Sequence, residues 1–214
     1  MGKARTVDQQ LERRIVSRPL RADTREERRT IEGYAALTDT ETVIDLGFFG
    51  FREMIAPGAF REAITTSDVR ALFNHDPNFV LGRNTSGTLR LSEDDEGLRY
   101  VVDLPETRTA DEVLTLIKRG DVSGSSFAFR VDEKDDEWDE SEVAKGKLPL
   151  RIIHRVSELY DVSPVTYPAY PDTSVSARAT SRLAALAGEA AASRARAARA
   201  ALRTQLDAAW RRSR

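Results

Sequence analysis

The chain of 214 residues contains no cysteine, only two histidines, and few aromatic residues, which make up 7% of the sequence. The absence of cysteine excludes disulfides, cysteine nucleophiles and thiolate metal sites, and it is typical of proteins in a reducing compartment. The apolar runs are only a few residues long, so we expect neither a signal peptide nor a membrane span, and we predict an intracellular protein. Walker, GxGxxG, HExxH and EF-hand patterns are also missing. Any catalysis must therefore come from residues outside these motifs, and the scarcity of histidine makes each of the two worth testing.

Charge divides the chain into three parts. Residues 1–29 carry a net charge of +4 and residues 177–214 carry +7, so the middle carries −13, given the total of −2. Basic terminal segments with few aromatic residues, flanking an acidic body, are typically appendages to a domain and not parts of its core. We therefore predict a basic, flexible N-terminal arm (1–29), one globular domain (30–177) and a tail (178–214).

The tail is rich in alanine, arginine and leucine, which favour helix, and Leu202, Leu206 and Trp210 recur at intervals of four. This pattern predicts a C-terminal helix. Two roles remain open for it, a solvated terminal helix or a segment that docks on a partner or on nucleic acid. The acidic body and the lack of an aromatic and basic surface pattern argue against nucleic-acid binding.

The body alternates between β-branched runs and turn signals. The runs are TIEGYAAL, ETVIDLG, DVRALFN, GTLRLSE, LRYVVDL, SSFAFRV and LRIIHRVSELYDVSPV. Two short helices are predicted, PGAFREAI and TRTADEVLTLIKRG, the second with Thr109 as its N-cap and Gly120 as its stop. Residues 132–147 are acidic and show no period, so we predict a mobile hairpin or loop there. The pattern indicates a β-rich α+β domain that could close into a barrel.

Five side chains are candidates for chemistry. Ser125 and Ser126 precede the alternating strand FAFR, and His75 follows a predicted strand in ALFNHDPN. His154 lies in RIIHRVSELYD, where alternation places it on one face with Glu158. The ordinary alternative to a catalytic role is that the two serines are loop residues and that His75 is a solvent-exposed histidine in a turn. A hydroxyl, an imidazole and a carboxylate are nevertheless the parts of nucleophilic acyl transfer. Their order along the chain, His, Ser, acid, differs from the orders of chymotrypsin, subtilisin and the α/β-hydrolases.

Six motifs, in one order, resemble the prohead maturation proteases of tailed bacteriophages. They are IEGYAAL, EMIAPGAFREAI, ALFNHDPNFVLGR, GTLRLSEDDEGLRYVVDLPE, GDVSGSSFAFRVD and SELYDVSPVTYPAYPDTSVSAR, and together they span roughly residues 30–178. That family is similar in fold to the herpesvirus assembly proteases, whose active site also runs His, Ser and a third polar residue. The resemblance implies a herpesvirus-protease-like barrel with a few short helices, followed by the helical tail.

The resemblance also implies roles for individual residues. His75 would be the general base, and Ser126, which matches the serine of the family's SF pair, the nucleophile, with Ser125 as a local packing or hydrogen-bonding residue. Glu158 is favoured as the third member because it stands five residues before a serine, Ser163, as in the herpesvirus enzymes. Asp161 is the rival, and alternation places Asp161 and Glu158 on opposite faces of the strand.

The implied function is a serine endopeptidase that acts through an acyl-enzyme, without metal or organic cofactor. Its partners would be the major capsid protein with its scaffold segment, and the protease itself through trimming of its own ends, inside the prohead assembling in the host cytoplasm. No membrane partner is expected, and self-association is left open. The alternative is a non-catalytic capsid-assembly or scaffold-binding protein on the same fold, although such a protein would be expected to have lost one of the three site residues.

Overall fold

A computed structural model describes residues 11–24, 29–45 and 50–167, together with isolated positions between 184 and 200. The chain divides into two units, Met1–Ser176 and Ala177–Arg214. The isolated positions in the second unit are helical. The predicted helical tail as a whole, including Leu202, Leu206 and Trp210, lies outside the described residues and stays a prediction.

The first unit is rich in strands. Its strands are β1 (Glu12–Val16), β2 (Arg21–Asp23), β3 (Thr30–Leu37), β4 (Thr42–Asp45), β5 (Gly50–Ile55), β6 (Arg70–Phe73), β7 (Asp76–Arg83), β8 (Leu89–Glu93), β9 (Gly97–Asp103), β10 (Gly124–Arg130), β11 (Asp136–Asp139), β12 (Leu150–Ile153) and β13 (Glu158–Val165). Its helices are α1 (Ala63–Thr66) and α2 (Arg108–Arg119), with 3₁₀ turns at Asn84–Ser86 and Val143–Lys145. The β-rich α+β class predicted from the sequence is confirmed.

Within the described residues, the strands form three sheets. Five strands pair in the order β1-β10-β13-β6-β7, four in the order β11-β12-β5-β4, and four in the order β2-β3-β9-β8. Each sheet is open in the part of the chain that the structure describes, so the herpesvirus-like barrel is not confirmed. Between the sheets lies a core built largely from the alternate residues of the strands, because successive side chains of a strand point to opposite faces.

Helix α2 closes the core at one side. Thr107 is its N-cap and accepts a hydrogen bond from the backbone N–H of Ala110, so the predicted cap, Thr109, lies inside the first turn instead. Gly120 ends the helix in the left-handed conformation, as predicted. The buried residues of α2 fall at helical spacing on one face: Ala110, Val113, Leu114 and Ile117.

Two predictions about local structure are corrected, and a third is narrowed to one of its alternatives. The long run LRIIHRVSELYDVSPV is not one strand, because it breaks at residues 154–157 into β12 and β13, which belong to different sheets. In the acidic segment 132–147, β11 pairs antiparallel with the next strand, β12, which agrees with the hairpin alternative. The described part of the N-terminal arm is not an appendage, since β1 and β2 pair with β10 and β3.

Candidate active site

The five-stranded sheet separates the two adjacent serines of β10. Phe127 and Phe129 stack with ring centroids 4.6 Å apart on the core face. Ser125 lies on that face as well, where its Oγ is 2.8 Å from the hydroxyl of Tyr100. Ser126 points to the opposite face and is 1% exposed. Strand alternation therefore gives the two hydroxyls different neighbours, and it gives Ser125 the local hydrogen-bonding role expected from the sequence.

His75 lies in the two-residue turn that joins β6 to β7. Asn74 and His75 both have positive φ, at 53° and 59°, as a type I′ hairpin turn requires. Asparagine and histidine are among the side chains that tolerate this region best. The turn is held to the end of β13, because Asn74 N–H donates to the carbonyl of Pro164 at 3.0 Å, and the Asn74 side chain forms hydrogen bonds with Thr166 at 2.9 and 3.0 Å. These bonds aim the imidazole across β13 toward β10.

His75 links Ser126 to a carboxylate. Its Nε2 lies 2.6 Å from Ser126 Oγ, and its Nδ1 lies 2.6 Å from Asp161 Oδ1. The hydroxyl of Ser163 donates to the same carboxylate oxygen at 2.6 Å and lies 3.4 Å from His75 Nδ1. The side chains of His75 and Asp161 are only 11% and 9% exposed. A hydroxyl, an imidazole and a carboxylate thus form one continuous chain of hydrogen bonds in a site largely shielded from water.

Of the two candidate carboxylates, Asp161 and not Glu158 lies beside His75. Strand β10 pairs with β13 so that Ala128 opposes Asp161, but Phe129 opposes Leu159, which leaves Tyr160 as an extra residue in a β-bulge. The bulge shifts the alternation of β13 by one residue, so the rule that separates odd from even residues fails along this strand. Asp161 lies on the regularly paired side of this bulge, opposite Ala128, and therefore on the same face of the sheet as Ser126 and Ser163.

Glu158 lies farther along β13, opposite Arg130. Its carboxylate accepts a hydrogen bond from the hydroxyl of Tyr160 at 2.8 Å and lies 3.4 Å from the Arg130 guanidinium, and its side chain is 41% exposed. Burial of the phenol, together with this bond to Glu158, raises the pKa of Tyr160 to about 12. These contacts are those of a surface ion pair.

His154 is outside the site. It follows β12, is exposed, and its Nε2 lies 3.3 Å from a carboxylate oxygen of Glu137. The face that alternation predicted for His154 and Glu158 does not exist, because the chain leaves one sheet between them.

Three residues of the site were not identified from the sequence. Asn74, within the FNHDP motif, carries the sequence signal of a left-handed turn residue. Ser163 was noted only as a spacing marker for Glu158. The third is Arg14 of β1, whose backbone carbonyl accepts a hydrogen bond from Ser126 Oγ at 2.8 Å. A main-chain contact of this kind leaves no mark in a sequence.

Within residues 11–24, 29–45, 50–167 and the isolated positions of the second unit, no group of three or more acidic or histidine side chains could hold a metal ion. In the same residues, no helix is long and apolar enough to cross a membrane.

Comparison with known proteins places these observations in a family. The family model of the caudovirus prohead serine proteases matches residues 17–186. Among solved structures, the fold is similar to the capsid assembly protease gp21 of bacteriophage T4, with a TM-score of 0.44 and 12% sequence identity over 73% of this chain and 97% of that one. No curated protein matches significantly. Since the family model covers most of the sequence, including His75, Ser126 and Asp161, the chain belongs to the caudovirus prohead serine protease family.

Proposed function

We propose that this prohead protease hydrolyses peptide bonds with Ser126 as nucleophile, His75 as general base and Asp161 as the group that orients His75. The observation that carries the proposal is the unbroken chain of hydrogen bonds from Ser126 Oγ through both imidazole nitrogens to Asp161, with two contacts of 2.6 Å. A serine hydroxyl is a weak nucleophile until a neighbouring base takes its proton.

The residues divide the work of acyl transfer in the usual way. His75 Nε2 takes the proton of Ser126 as Oγ attacks the substrate carbonyl carbon, and then gives it to the leaving amine, which leaves an acyl-enzyme for water to hydrolyse. Asp161 holds Nδ1–H in the required tautomer and stabilises the imidazolium. Ser163 donates to Asp161 Oδ1 and so restricts the rotation of the carboxylate.

The substrates proposed are the scaffold segment of the major capsid protein and the protease's own ends, cleaved inside the assembling prohead. Family membership supports the capsid partner. Self-processing is supported by the composition of residues 178–214, since low-complexity termini are the parts of a chain that proteases reach first.

Co-expression with the capsid protein and its scaffold segment tests this function. The wild-type protein and Ser125→Ala are expected to cleave the capsid protein, whereas Ser126→Ala is expected to leave it at full mass. Ser125→Ala is the matched control, because it removes the same hydroxyl one residue away on the other face of β10. Intact-mass measurement of both proteins reads the result. Equal trimming by the wild type and Ser126→Ala would assign the cleavage to host proteases and favour the non-catalytic assembly protein.

A further inference from the structure

Strand β10 has two edges, and both are occupied. On one side β13 supplies Asp161 and Ser163. On the other side β1 runs antiparallel to β10, with Ile15 opposite Ser126. A peptide that pairs with β10 beside Ser126 in the manner of a sheet strand can therefore do so only where β1 now lies.

The contact between β1 and the nucleophile is a main-chain contact. Ser126 Oγ donates to the carbonyl oxygen of Arg14 at 2.8 Å and is also 2.6 Å from His75 Nε2. A serine hydroxyl has a single proton. While that proton points to Arg14, His75 is not positioned to remove it, and the backbone of β1 fills the space beside Oγ that a substrate carbonyl would enter.

From this geometry we infer that the β1 edge of β10 is the binding site for an extended peptide substrate, and that β1 is its resident occupant. The strand blocks Ser126 until it is displaced. The inference rests on the proposed function, and it adds to it the direction in which the substrate lies, antiparallel to β10.

A buried ionic cluster anchors β1 to the neighbouring sheet. Arg14 pairs with Glu12 at 2.7 Å and with Glu53 of β5 at 2.5 Å, and Arg151 of β12 pairs with Glu12 at 2.6 Å, with Glu53 at 3.1 Å and with Asp136 at 2.7 Å. Burying a charge without a partner is strongly unfavourable. The free-energy cost of removing β1 therefore depends on whether the charged side chains that stay behind still have partners.

The cluster residues outside β1 still have partners when β1 is removed. Strand β1 contributes one carboxylate and one guanidinium to the cluster, so its departure leaves the net charge of the cluster unchanged. Arg151 then keeps Glu53 and Asp136 as partners. The charge balance of the cluster thus allows β1 to leave without stranding an arginine.

Two further observations fit a removable strand. Strand β1 ends at Val16, and the family model begins at residue 17, so the occupant lies outside the matched domain. A groove of about 330 Å³ separates β1 from β3, β4 and β5, so the strand is incompletely packed on that flank.

The test uses the whole protein, folded with β1 in place. A recognition sequence for a site-specific protease is inserted after Ser17, the chain is cut, and the fragment ending at residue 17 is removed by gel filtration. A fluorophosphonate probe, which labels activated serines, then gives the rate of modification of Ser126. The same recognition sequence inserted after Lys145, in an exposed turn far along the chain from β1, is the matched control.

We expect removal of the fragment to raise the labelling rate at least tenfold, and a synthetic peptide of residues 8–17 to lower it again. The control cut should leave the rate unchanged. The inference is overturned if the fragment leaves and the rate stays the same, if the peptide has no effect, or if the fragment stays bound through gel filtration. Labelling at equal rates in both forms would refute the inference alone, whereas no labelling of Ser126 in either form would refute the proposed function.

Discussion

Replacing Asp161 by asparagine should abolish most of the activity, and the structure indicates how much. The carboxylate lies 2.6 Å from His75 Nδ1 in a site that is about nine-tenths buried. When His75 takes the proton of Ser126, it becomes a cation beside this anion. Two unit charges about 4 Å apart attract by about 4 kcal/mol at an effective dielectric constant of about 20. Since each 1.4 kcal/mol or so corresponds to a factor of ten in rate, Asp161→Asn should lower kcat by about 10³-fold.

Glu158→Gln is the matched control, because it makes the same chemical change three residues earlier on the same strand. Glu158 is part of an exposed ion pair with Arg130, and such pairs contribute little. The kcat of the Glu158→Gln variant should stay within about twofold of the wild-type value. Cleavage of the capsid protein followed by intact-mass spectrometry compares the two variants over the same time course. A larger loss for Glu158→Gln than for Asp161→Asn would refute the assignment of Asp161.

Four other predictions concern catalysis and stability. His75→Ala and Ser126→Ala should lose the same fraction of activity in the capsid cleavage assay, and the double variant should be no less active than either. The reason is that the rate losses of residues in one catalytic unit are not additive. Additive losses in the double variant would show that His75 is not part of the unit. Ser125→Ala should keep its activity but unfold at lower urea, losing about 1–3 kcal/mol, since the buried hydroxyl of Tyr100 loses its partner; unchanged stability would contradict this. Arg151→Ala should reduce the free energy of unfolding by about 3–5 kcal/mol, because three buried carboxylates lose a shared cation. A loss of less than about 1 kcal/mol in urea titration would show that the cluster is not buried in solution. Burial raises the pKa of Glu12, but the charges of Arg14 and Arg151 outweigh burial and hold that pKa at about 2, below its ordinary value of 4.5. The contribution of Glu12 to the free energy of unfolding is therefore complete above pH 4.5 and is lost as the pH falls toward 2. Glu12→Gln should remove this pH dependence, and parallel profiles of stability against pH for the two proteins would refute the prediction.

Most strands were accessible from sequence because they depend on local patterns, whereas the choice of Ser126 over Ser125 came from the resemblance to the family's SF pair. The run TIEGYAAL coincides with β3, and the alternating run SSFAFR lies within β10. The turn before Asp76 is also visible, because asparagine and histidine favour the backbone conformation that it needs.

The errors come from features that depend on pairing between distant segments. Glu158 was favoured for its spacing before Ser163, but spacing along one strand does not show which carboxylate lies beside His75. The pairing of β13 with β10 and β6 brings Asp161 there. Strand β1 was assigned to a flexible arm because it is rich in charge. Two of its three charged side chains, Glu12 and Arg14, are buried because Glu53 and Arg151, far along the chain, supply their partners. Composition alone cannot identify partners that the fold brings together.

The central claim, that Ser126 is a nucleophile activated by His75, is tested most directly by mapping the site of fluorophosphonate modification. Both the full-length protein and the form freed of β1 are incubated with the probe, digested and sequenced by tandem mass spectrometry across residues 120–130. The account predicts a single adduct on Ser126 that disappears in His75→Ala and in heat-denatured protein. An adduct on Ser125, an adduct that persists in His75→Ala, or no adduct in either form would contradict it.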